Sequence, residues 1–436
     1  MQYLPNIVFA LLIIGGIGFF TRNIKKIKRN INLGKGVDRT DNKSKRWSNM
    51  IKIALGQSKM VRRPVSGLLH IVVYVGFIII NIEVLEIILD GLLGTHRLFL
   101  NILGTGFYSF LIGVFEVLAF LVLISVSIFW MRRNVLRIKR FWYKEMTAWP
   151  KNDGNIILYF EMVLMSLFLI MNATDVHFQE VNAGNLISQY LSPLFSDFSL
   201  ATNHVIERTA WWIHIVGILA FLNYLYYSKH LHILLAFPNT FYANLKPKGQ
   251  FPNNASVTKE VQMMMDPDAD PYAMPEETEE EPAKFGASDV TDLNWVQLMN
   301  AYTCTECGRC SSVCPANQTG KELSPRAIMM KTRDRVEEMG RIIDENNGVF
   351  KDDGKQLLND YITPEELWAC TSCNACVEEC PVNIDPLSII MDMRQYLVME
   401  QSAAPQELNT MMSNIENNGA PWPYNQMDRL NWKDEK

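Results

Sequence analysis

Two cysteine frames constrain this chain more than any other feature of its sequence. All eight cysteines fall into two copies of the pattern C-x2-C-x2-C-x3-C-P. The copies are Cys304, Cys307, Cys310, Cys314 and Pro315, and then Cys370, Cys373, Cys376, Cys380 and Pro381. This spacing is typical of two 4Fe–4S clusters, because three nearby thiolates wrap three irons and the fourth iron needs a more distant ligand.

The fourth cysteine of each run is expected to cross to the other cluster, as in two-cluster ferredoxins. The first cluster would then be held by Cys304, Cys307, Cys310 and Cys380, and the second by Cys370, Cys373, Cys376 and Cys314. Each trailing proline ends the local helix and frees the thiolate to reach across. Two structural zinc sites are the alternative. Zinc does not explain the third cysteine, the x3 gap and the proline in both copies.

The composition hides a division of the chain near residue 240. Hydrophobic residues make up 48% and charged residues 20% of the whole, but long apolar runs occur only in the first part. A span of the ~30 Å hydrocarbon core needs about 20 apolar residues. Five runs meet that need, at about 4–20, 65–89, 107–130, 155–174 and 210–236. The first is interpreted as a span, since its positive residues follow it and no cleavage site is evident.

The distribution of basic residues predicts the orientation in the membrane. Fourteen Lys and Arg residues lie in 21–63 and seven in 131–151, whereas the other two loops carry only Arg97 and Arg208. Positively charged loops stay in the cytoplasm. We therefore expect a multi-pass protein of the cytoplasmic (inner) membrane, in contact with lipid, with its N-terminus outside and its cysteines in the cytoplasm. Disulfides are disfavoured there, and no nucleic-acid partner is expected.

All seven histidines precede residue 240, and three are candidate ligands of a b-type haem at the cytoplasmic side. His70 near the start of the second span and His232 near the end of the fifth are predicted at matching depth, and haem is held by histidines on facing helices. His230 is the competing ligand. Hydrogen-bonded structural histidines are the alternative interpretation.

An outer haem is the weaker hypothesis. His214 and His232 are 18 residues apart, five helical turns, so one continuous helix would place both on one face about 27 Å apart. His214 would be one outer ligand, with His177 or His96 as its partner; His204 is left without a role.

Carboxyl groups inside the apolar runs are candidates for a proton relay to a quinone. Ionisable residues within spans are costly and point to function, although a protonated glutamate bonded to a neighbouring helix is the alternative. The candidates are Glu83, Glu86, Glu116 and Glu161.

The second half of the chain divides into three parts. Residues 238–290 form an acidic, proline-containing linker, predicted to be extended. Residues 291–400 form the dicluster domain, with helices predicted after the caps Ser324-Pro325 and Thr363-Pro364. Residues 401–436 form a polar tail whose aromatics suggest partner docking. With 1–237 as the transmembrane domain, the predicted fold is mainly α: a five-helix transmembrane bundle followed by a helical two-cluster ferredoxin-like domain.

Two segments carry a resemblance to a known family. They are Arg63-Pro64-Val65-Ser66-Gly67-Leu68-Leu69-His70 in span two, and Trp211-Trp212-Ile213-His214 with Tyr227-Ser228-Lys229-His230-Leu231-His232 in span five. The chain resembles membrane-bound Fe–S oxidoreductases that fuse a nitrate-reductase-gamma-like transmembrane domain to a heterodisulfide-reductase-C-like dicluster domain. Relatives of this kind include quinone reductases for electron-transfer flavoprotein and membrane heterodisulfide reductases.

The resemblance implies which residues bind haem, and the sequence also departs from the family pattern in two places. It implies two b haems, with His214, His232 and His70 matching three of four ligands. The fourth position is Ile80, so the ligand set of the second haem is incomplete. Many relatives continue into a Cys-Cys-Gly domain that this sequence lacks, and a separate Cys-Cys-Gly polypeptide is therefore expected as the cytoplasmic partner.

The sequence thus predicts an electron-transport component of a membrane oxidoreductase, one that need not be catalytic itself. Electrons would pass between a cytoplasmic partner, fed by electron-transfer flavoprotein, two 4Fe–4S clusters, one or two haems b and the quinone pool. The alternatives are quinol-driven reduction of a cytoplasmic disulfide or sulfur compound, and a membrane anchor with structural clusters. Loss of electron transfer on His70→Ala, with assembly preserved, would argue against the anchor.

Overall fold

The computed structural model describes residues 3–181, 184–251, 253–266 and 284–434. These residues are mainly helical and contain no β-strand, as predicted. The acidic part of the predicted linker, with Glu276–Glu281, lies outside the described residues.

Five helices are long and apolar enough to cross a membrane, which agrees with the predicted number. They are α1 (Leu4–Ile31), α3 (Pro64–Leu93), α5 (Thr105–Asn134), α6 (Ala148–Thr174) and α9 (Leu200–Tyr224). Shorter helices of the same half are α2 (Lys43–Met50), α4 (Leu98–Leu103), α7 (Val176–Val181), α8 (Ser188–Leu191) and α10 (His232–Phe241).

The long helices form a closed ring in which α1, α3, α5, α6 and α9 each contact the next, and α9 returns to α1. The ring closes around fully buried Tyr108, Ile112, Phe115 and Phe168. Their outward faces carry exposed Leu, Ile, Val and Phe side chains, which is the arrangement expected where lipid covers a bundle.

The predicted fifth span, 210–236, is wrong in its bounds. Helix α9 begins at Leu200, where the Ser199 hydroxyl accepts a hydrogen bond from the Thr202 amide, and it ends at Tyr224. The chain then passes through two short 3-10 turns before α10 begins at His232. Ser228 between them is extended, with φ −113° and ψ 146°. His214 and His232 therefore lie on different helices, and the expectation that they share one helical face is wrong.

Asp153 on α6 explains this break. Its carboxylate accepts hydrogen bonds from the Tyr224 hydroxyl at 2.7 Å, the Ser228 hydroxyl at 2.7 Å and the Lys229 amide at 3.1 Å. The Ser228 hydroxyl in turn accepts from the His230 amide. Side-chain bonds to backbone groups compete with the helical pattern, and here they end the helix.

The second half of the chain is built from short helices around the cysteines. They are α11 (Ala255–Met265), α12 (Trp295–Thr303), α13 (Arg309–Val313), α14 (Pro315–Gln318), α15 (Pro325–Glu345), α16 (Leu357–Asp360), α17 (Pro364–Trp368), α18 (Ala375–Glu379), α19 (Pro386–Met399) and α20 (Gln406–Asn418). Ser324 and Thr363 cap α15 and α17 through their hydroxyls, which confirms both predicted helix starts.

The two halves pack directly against each other. Asn30 at the end of α1 donates a hydrogen bond to the Tyr302 hydroxyl at 2.9 Å. Lys35 exchanges backbone hydrogen bonds with Leu293 and Trp295 at 2.8 and 3.1 Å. The loop after α1 therefore binds the cluster half of the chain. The same loop is one of the two basic loops from which the orientation in the membrane is predicted.

Candidate metal centres and histidine pair

The two cysteine loops adopt the same unusual backbone conformation. Glu306 and Gly308 in the first loop have φ of 53° and 69°, and the equivalent Ser372 and Asn374 have φ of 57° and 59°. Left-handed residues at matching places turn successive cysteines toward one centre. The conformation costs energy for residues other than glycine, and its repetition indicates a shared geometric demand in both loops.

The cysteine side chains of the two runs lie close to one another. One cavity of about 30 Å³ is lined by Cys304, Cys307, Cys310, Cys376 and Cys380. The short helices α13 and α18, which contain the third cysteine of each run, pack against each other.

The packing of α13 against α18 also brings together the cysteines of the second predicted set. Cys314 lies close enough to Cys370 and Cys376 for their charges to interact, and Cys373 interacts with Cys370. Cys373 is the exposed member of the eight cysteines. The crossing of the fourth cysteine is thus compatible with the geometry of both sets.

The chemistry of these sulfurs suits iron. Burial raises the pKa of Cys304 to about 12 and that of Cys380 to about 11. Such thiols are not nucleophiles at neutral pH, whereas a bound metal displaces the proton. Backbone amides also point at sulfur: Ser372 donates to Cys370 Sγ at 3.4 Å and Ile384 to Cys380 Sγ at 3.3 Å. Hydrogen bonds of this kind tune cluster potentials.

Buried cations connect the first cysteine set to the membrane half. Lys59 donates to the Cys380 carbonyl at 3.0 Å, and burial lowers its pKa to about 8. Arg309 donates to the Lys59 carbonyl at 3.2 Å. Fully buried Arg326 reaches the Arg140 carbonyl at 2.8 Å. These contacts tie the cavity to the segment before α3 and to the loop after α5.

Three predicted histidines meet at the end of the bundle nearest the cysteines. His70 on α3 interacts electrostatically with His230 and His232, and the rings of His230 and His232 are 5.3 Å apart between centroids. The Nδ1 atom of His70 is buried without a hydrogen-bond partner. Nδ1 of His232 is 3.1 Å from the Lys229 carbonyl, the kind of bond that orients a ligating imidazole.

His230 has a different environment. Its Nε2 is 3.9 Å from a carboxylate oxygen of Glu161, and its ring packs on Phe221 at 5.2 Å. The structure therefore brings His70, His230 and His232 together at this end of the bundle, beside Glu161, and these are the histidines that could hold a haem there.

His214 has no histidine partner at its level of the bundle among the described residues. It is fully buried in the middle of α9, against Phe168 at 6.3 Å, and its Nδ1 has no hydrogen-bond partner. It lies 14 residues from the start of α9, which is about 21 Å. Ile80, which stands in the place of a fourth ligand, is buried in the same apolar core as Phe168. The residues present do not fit a second haem.

The proposed outer partners are engaged elsewhere. His96 is half-exposed, and its Nε2 contacts Asp175 at 3.0 Å while its Nδ1 contacts Arg208 at 3.3 Å. His177 and His204 are exposed. His96, Asp175 and Glu207 lie within reach of one cation, but Arg97 and Arg208 already pair with the two carboxylates.

The four candidate relay carboxyls differ in their contacts. Glu116 accepts from Asn172 and from the Ile187 and Ser188 amides, and thereby holds the loop before α8. Glu86 accepts from the Phe99 amide and the Tyr108 hydroxyl. One oxygen of Glu83 is buried without a partner. A role in holding the bundle thus accounts for Glu116 and Glu86.

A groove of about 700 Å³ opens between α3 and α5 at the end away from the cysteines. It is lined by Ile79, Phe110, Val114, Val117, Leu118 and Leu186, with polar groups from Ser109, Asn185 and Gln189. An apolar site with a few polar groups suits an apolar ligand carrying carbonyls.

Lys229, Glu306 and Arg97 are functional candidates that sequence reasoning missed. Lys229 precedes His230 in a segment that the sequence analysis assigns to a membrane span. A lysine inside a span is costly, and this cost is the sequence feature that points to a functional role for Lys229. Glu306 lies between two cysteines, and Arg97 was counted only as a loop charge.

Comparison with known proteins agrees with this geometry. Residues 303–384 match the family described as "4Fe-4S dicluster domain". The chain is 28% identical over 422 residues to the "Probable iron-sulfur-binding oxidoreductase FadF" of Bacillus subtilis, covering 89% of this chain and 54% of that protein. It is 26% identical over 436 residues to the "EtfAB:quinone oxidoreductase" of Syntrophomonas wolfei, covering 93% and 56%.

Shorter similarities concern part of the chain. A "Probable membrane-anchored ferredoxin" of Chromohalobacter salexigens is 32% identical over 169 residues, which is 34% of this chain and 24% of that protein. Components of heterodisulfide reductases also match. No solved structure matches the chain. The chain spans about half the length of the first two relatives.

The fold and these similarities define a class. The chain is an iron–sulfur, electron-transfer oxidoreductase-like protein with a 4Fe–4S dicluster domain, and its described residues include five helices long and apolar enough to cross a membrane.

Proposed function

We propose that the chain carries single electrons between a cytoplasmic redox partner and the quinone pool. The route runs through a cluster on Cys370, Cys373, Cys376 and Cys314, a cluster on Cys304, Cys307, Cys310 and Cys380, and one haem b on His70 and His232. The dicluster domain is cytoplasmic and the N-terminus is outside. The central support is that the first cysteine loop and the histidine pair meet at one junction, where Glu306 bonds Lys229, three residues before His232.

The order of the two clusters follows from exposure. Cys373 is exposed and belongs to the second set. The first set lies against Lys59 of the membrane half and against Arg309 and Arg326, which contact that half. The second cluster therefore exchanges electrons with the partner, and the first with the haem. The same route serves either direction, because the potentials of partner and quinone set the direction.

The quinone and the partner are proposed on two grounds. One relative is named as an EtfAB:quinone oxidoreductase, and this supports electron-transfer flavoprotein, acting through a Cys-Cys-Gly domain, as the cytoplasmic donor. The groove beside Ile79 has the size and lining for a quinone ring, and Ile79 lies nine residues from His70, about 13 Å along α3. A haem iron held by two histidines supplies one-electron exchange between cluster and quinone.

Histidine variants test this function. Purified wild type, His70→Ala, His232→Ala and the exposed control His204→Ala are compared by reduced-minus-oxidised visible spectra and by cluster reduction with a quinol analogue. The b-type signal and quinol-driven cluster reduction should disappear in the first two variants and persist in His204→Ala. Wild-type haem absorbance in both His70→Ala and His232→Ala would refute the ligand pair. Full clusters without haem in the wild type would favour a membrane anchor.

A further inference from the structure

A buried lysine, which is not among the ligands proposed above, lies where the two halves of the chain meet. The Lys229 ammonium is 9% exposed and donates to the Pro150 carbonyl at 2.6 Å. It forms an ion pair with Glu306 and lies 3.7 Å from a carboxylate oxygen of Asp153. A buried cation of this kind persists only where partners surround it, and here they come from both halves.

Glu306 brings this cation to the first cysteine loop. It lies between Cys304 and Cys307, is 4% exposed, and has φ of 53°. Arg333 on α15 binds its other oxygen at 2.7 Å. The loop thus holds one buried carboxylate beside its sulfurs, with two cations on that carboxylate.

The backbone of Lys229 serves the histidine side. Its amide donates to Asp153 at 3.1 Å, which fixes the residue at the break after α9. Its carbonyl is 3.1 Å from Nδ1 of His232. A hydrogen bond at Nδ1 sets the tautomer and direction of an imidazole, so that Nε2 is the free ligand atom.

We propose that Lys229 is a positioning residue that joins the two redox centres, setting the electrostatics of the first cluster through Glu306 and the orientation of His232 through its carbonyl. The inference rests on the proposed function, because it takes the ligand sets of that proposal. A carboxylate beside a cluster opposes the added electron, and a cation on that carboxylate offsets the effect; both act strongly where water is excluded. Burial and charge near the cluster are recognised determinants of its potential.

A purely structural role would leave a different signature. A buried ion pair contributes little to stability relative to apolar residues of the same volume, although removal of one partner is costly. A double variant of Lys229 and Glu306, which lacks both charges, should therefore fold and bind its iron. A change in the potential of the first cluster then measures the effect of the charges and not a loss of structure.

The test is a redox titration by electron paramagnetic resonance of the full-length protein in detergent. The variants are Lys229→Gln, Glu306→Gln, the double variant and the control Lys331→Gln, which breaks an ion pair with Glu366 at 2.6 Å elsewhere in the dicluster domain. The signal of the first cluster is assigned as the one lost in Cys380→Ala.

We expect opposite shifts for the first cluster in the two single variants. Lys229→Gln should lower the midpoint potential of the first cluster. The equilibrium constant for moving an electron from the first cluster to the second should then rise roughly tenfold. Glu306→Gln should raise that potential, and the double variant should return toward wild type. The second cluster should not move in any variant, and Lys331→Gln should match wild type. The haem spectrum should persist in Lys229→Gln, since the backbone carbonyl remains.

Equal shifts of both clusters, or no shift in Glu306→Gln, would overturn the inference. If Lys229→Gln does not load iron, Glu306→Gln and the double variant decide, since neither contains the Glu306 carboxylate, which Lys229→Gln leaves with Arg333 as its one cation. Failure of the proposed function has a separate signature, which is absence of two clusters or of haem in the wild type.

Discussion

Gly308 shows how a single residue controls the first cysteine loop. Its φ of +69° is costly for any residue with a side chain, and an added Cβ would lie 2.5 Å from a guanidinium nitrogen of buried Arg326. The second loop has Asn374 at the same place with φ of 59°, and asparagine tolerates this conformation better than most residues.

We predict that Gly308→Ala loses the first cluster. The left-handed backbone costs about 1–2 kcal/mol, and the contact with Arg326 adds to it. Gly320→Ala is the matched control, because Gly320 has φ of +81° but open space around its Cβ position. Iron per chain should fall toward half in Gly308→Ala and stay at the wild-type value in Gly320→Ala. Equal iron content in the two variants would contradict this explanation.

At the scale of single residues, the sequence predicts the metal ligands better than it predicts the side chains that surround them. The spacing of the cysteines predicts the ligand sets, because three of the four ligands of each cluster lie within one run. The ion pair of Lys229 with Glu306 joins residues far apart in sequence, and the hydrogen bonds of Asp153 belong to a third segment. No local pattern encodes such contacts, so they emerge only from the packed structure.

Among the helices, the break between α9 and α10 is the feature that hydropathy does not reveal. The run 210–236 is mostly apolar and long enough to cross the membrane, so a continuous helix is expected despite Lys229 near its end. The break depends on three hydrogen bonds to Asp153 from a different helix. The other four spans follow from composition alone, because length and apolarity suffice for them.

We predict that Asp153→Leu disturbs the histidine pair. Loss of the carboxylate leaves the Tyr224 and Ser228 hydroxyls and the Lys229 amide without their acceptor, at a cost of about 1–3 kcal/mol for each buried group left unpaired. Haem per chain should fall while cluster iron is retained. Asn155→Leu on the same helix, whose side chain contacts Asn134 and Arg133 instead, is the control. Normal haem content in Asp153→Leu would show that the break does not depend on this residue.

Helices α12 and α19 share a buried carboxyl that should make stability depend on pH. Burial raises the pKa of Asp392 to about 6, although Gln297 donates a hydrogen bond to it at 2.6 Å. The folded state then binds a proton more tightly than the unfolded state, so stability is greatest at low pH and falls as pH rises toward 6. The difference from the ordinary pKa of 3.8 corresponds to on the order of 3 kcal/mol.

Chemical unfolding between pH 5 and 8 measures this effect. The wild type should lose stability as pH rises from 5 to about 6.5 and then level off. Asp392→Asn cannot ionise and should lack this decline. Parallel curves for the two proteins would show that Asp392 does not carry the dependence.

For the whole molecule, close backbone contact joins the two halves. A Cβ on Gly34, in the loop after α1, would lie 2.7 Å from the backbone nitrogen of Trp295, whereas a Cβ on Gly36 would meet no atom within 4 Å. The orientation of the halves thus depends on contacts that charge and hydropathy do not specify.

We predict that Gly34→Ala loosens the dicluster domain from the bundle and slows electron transfer from cluster to haem. Faster proteolytic release of the dicluster domain from membranes, with normal iron content, is the expected result. Gly36→Ala should behave as wild type. Identical proteolysis of both variants would contradict a role for this contact.

A count of cofactors on the purified wild-type protein bears on the whole electron route at once. Iron, acid-labile sulfide and haem are measured per chain, together with the reduced-minus-oxidised spectrum. We expect about eight cluster irons and a single b-type haem. Two haems would show that His214 finds a ligand despite Ile80, and full cluster iron with no haem would contradict the proposed route through His70 and His232.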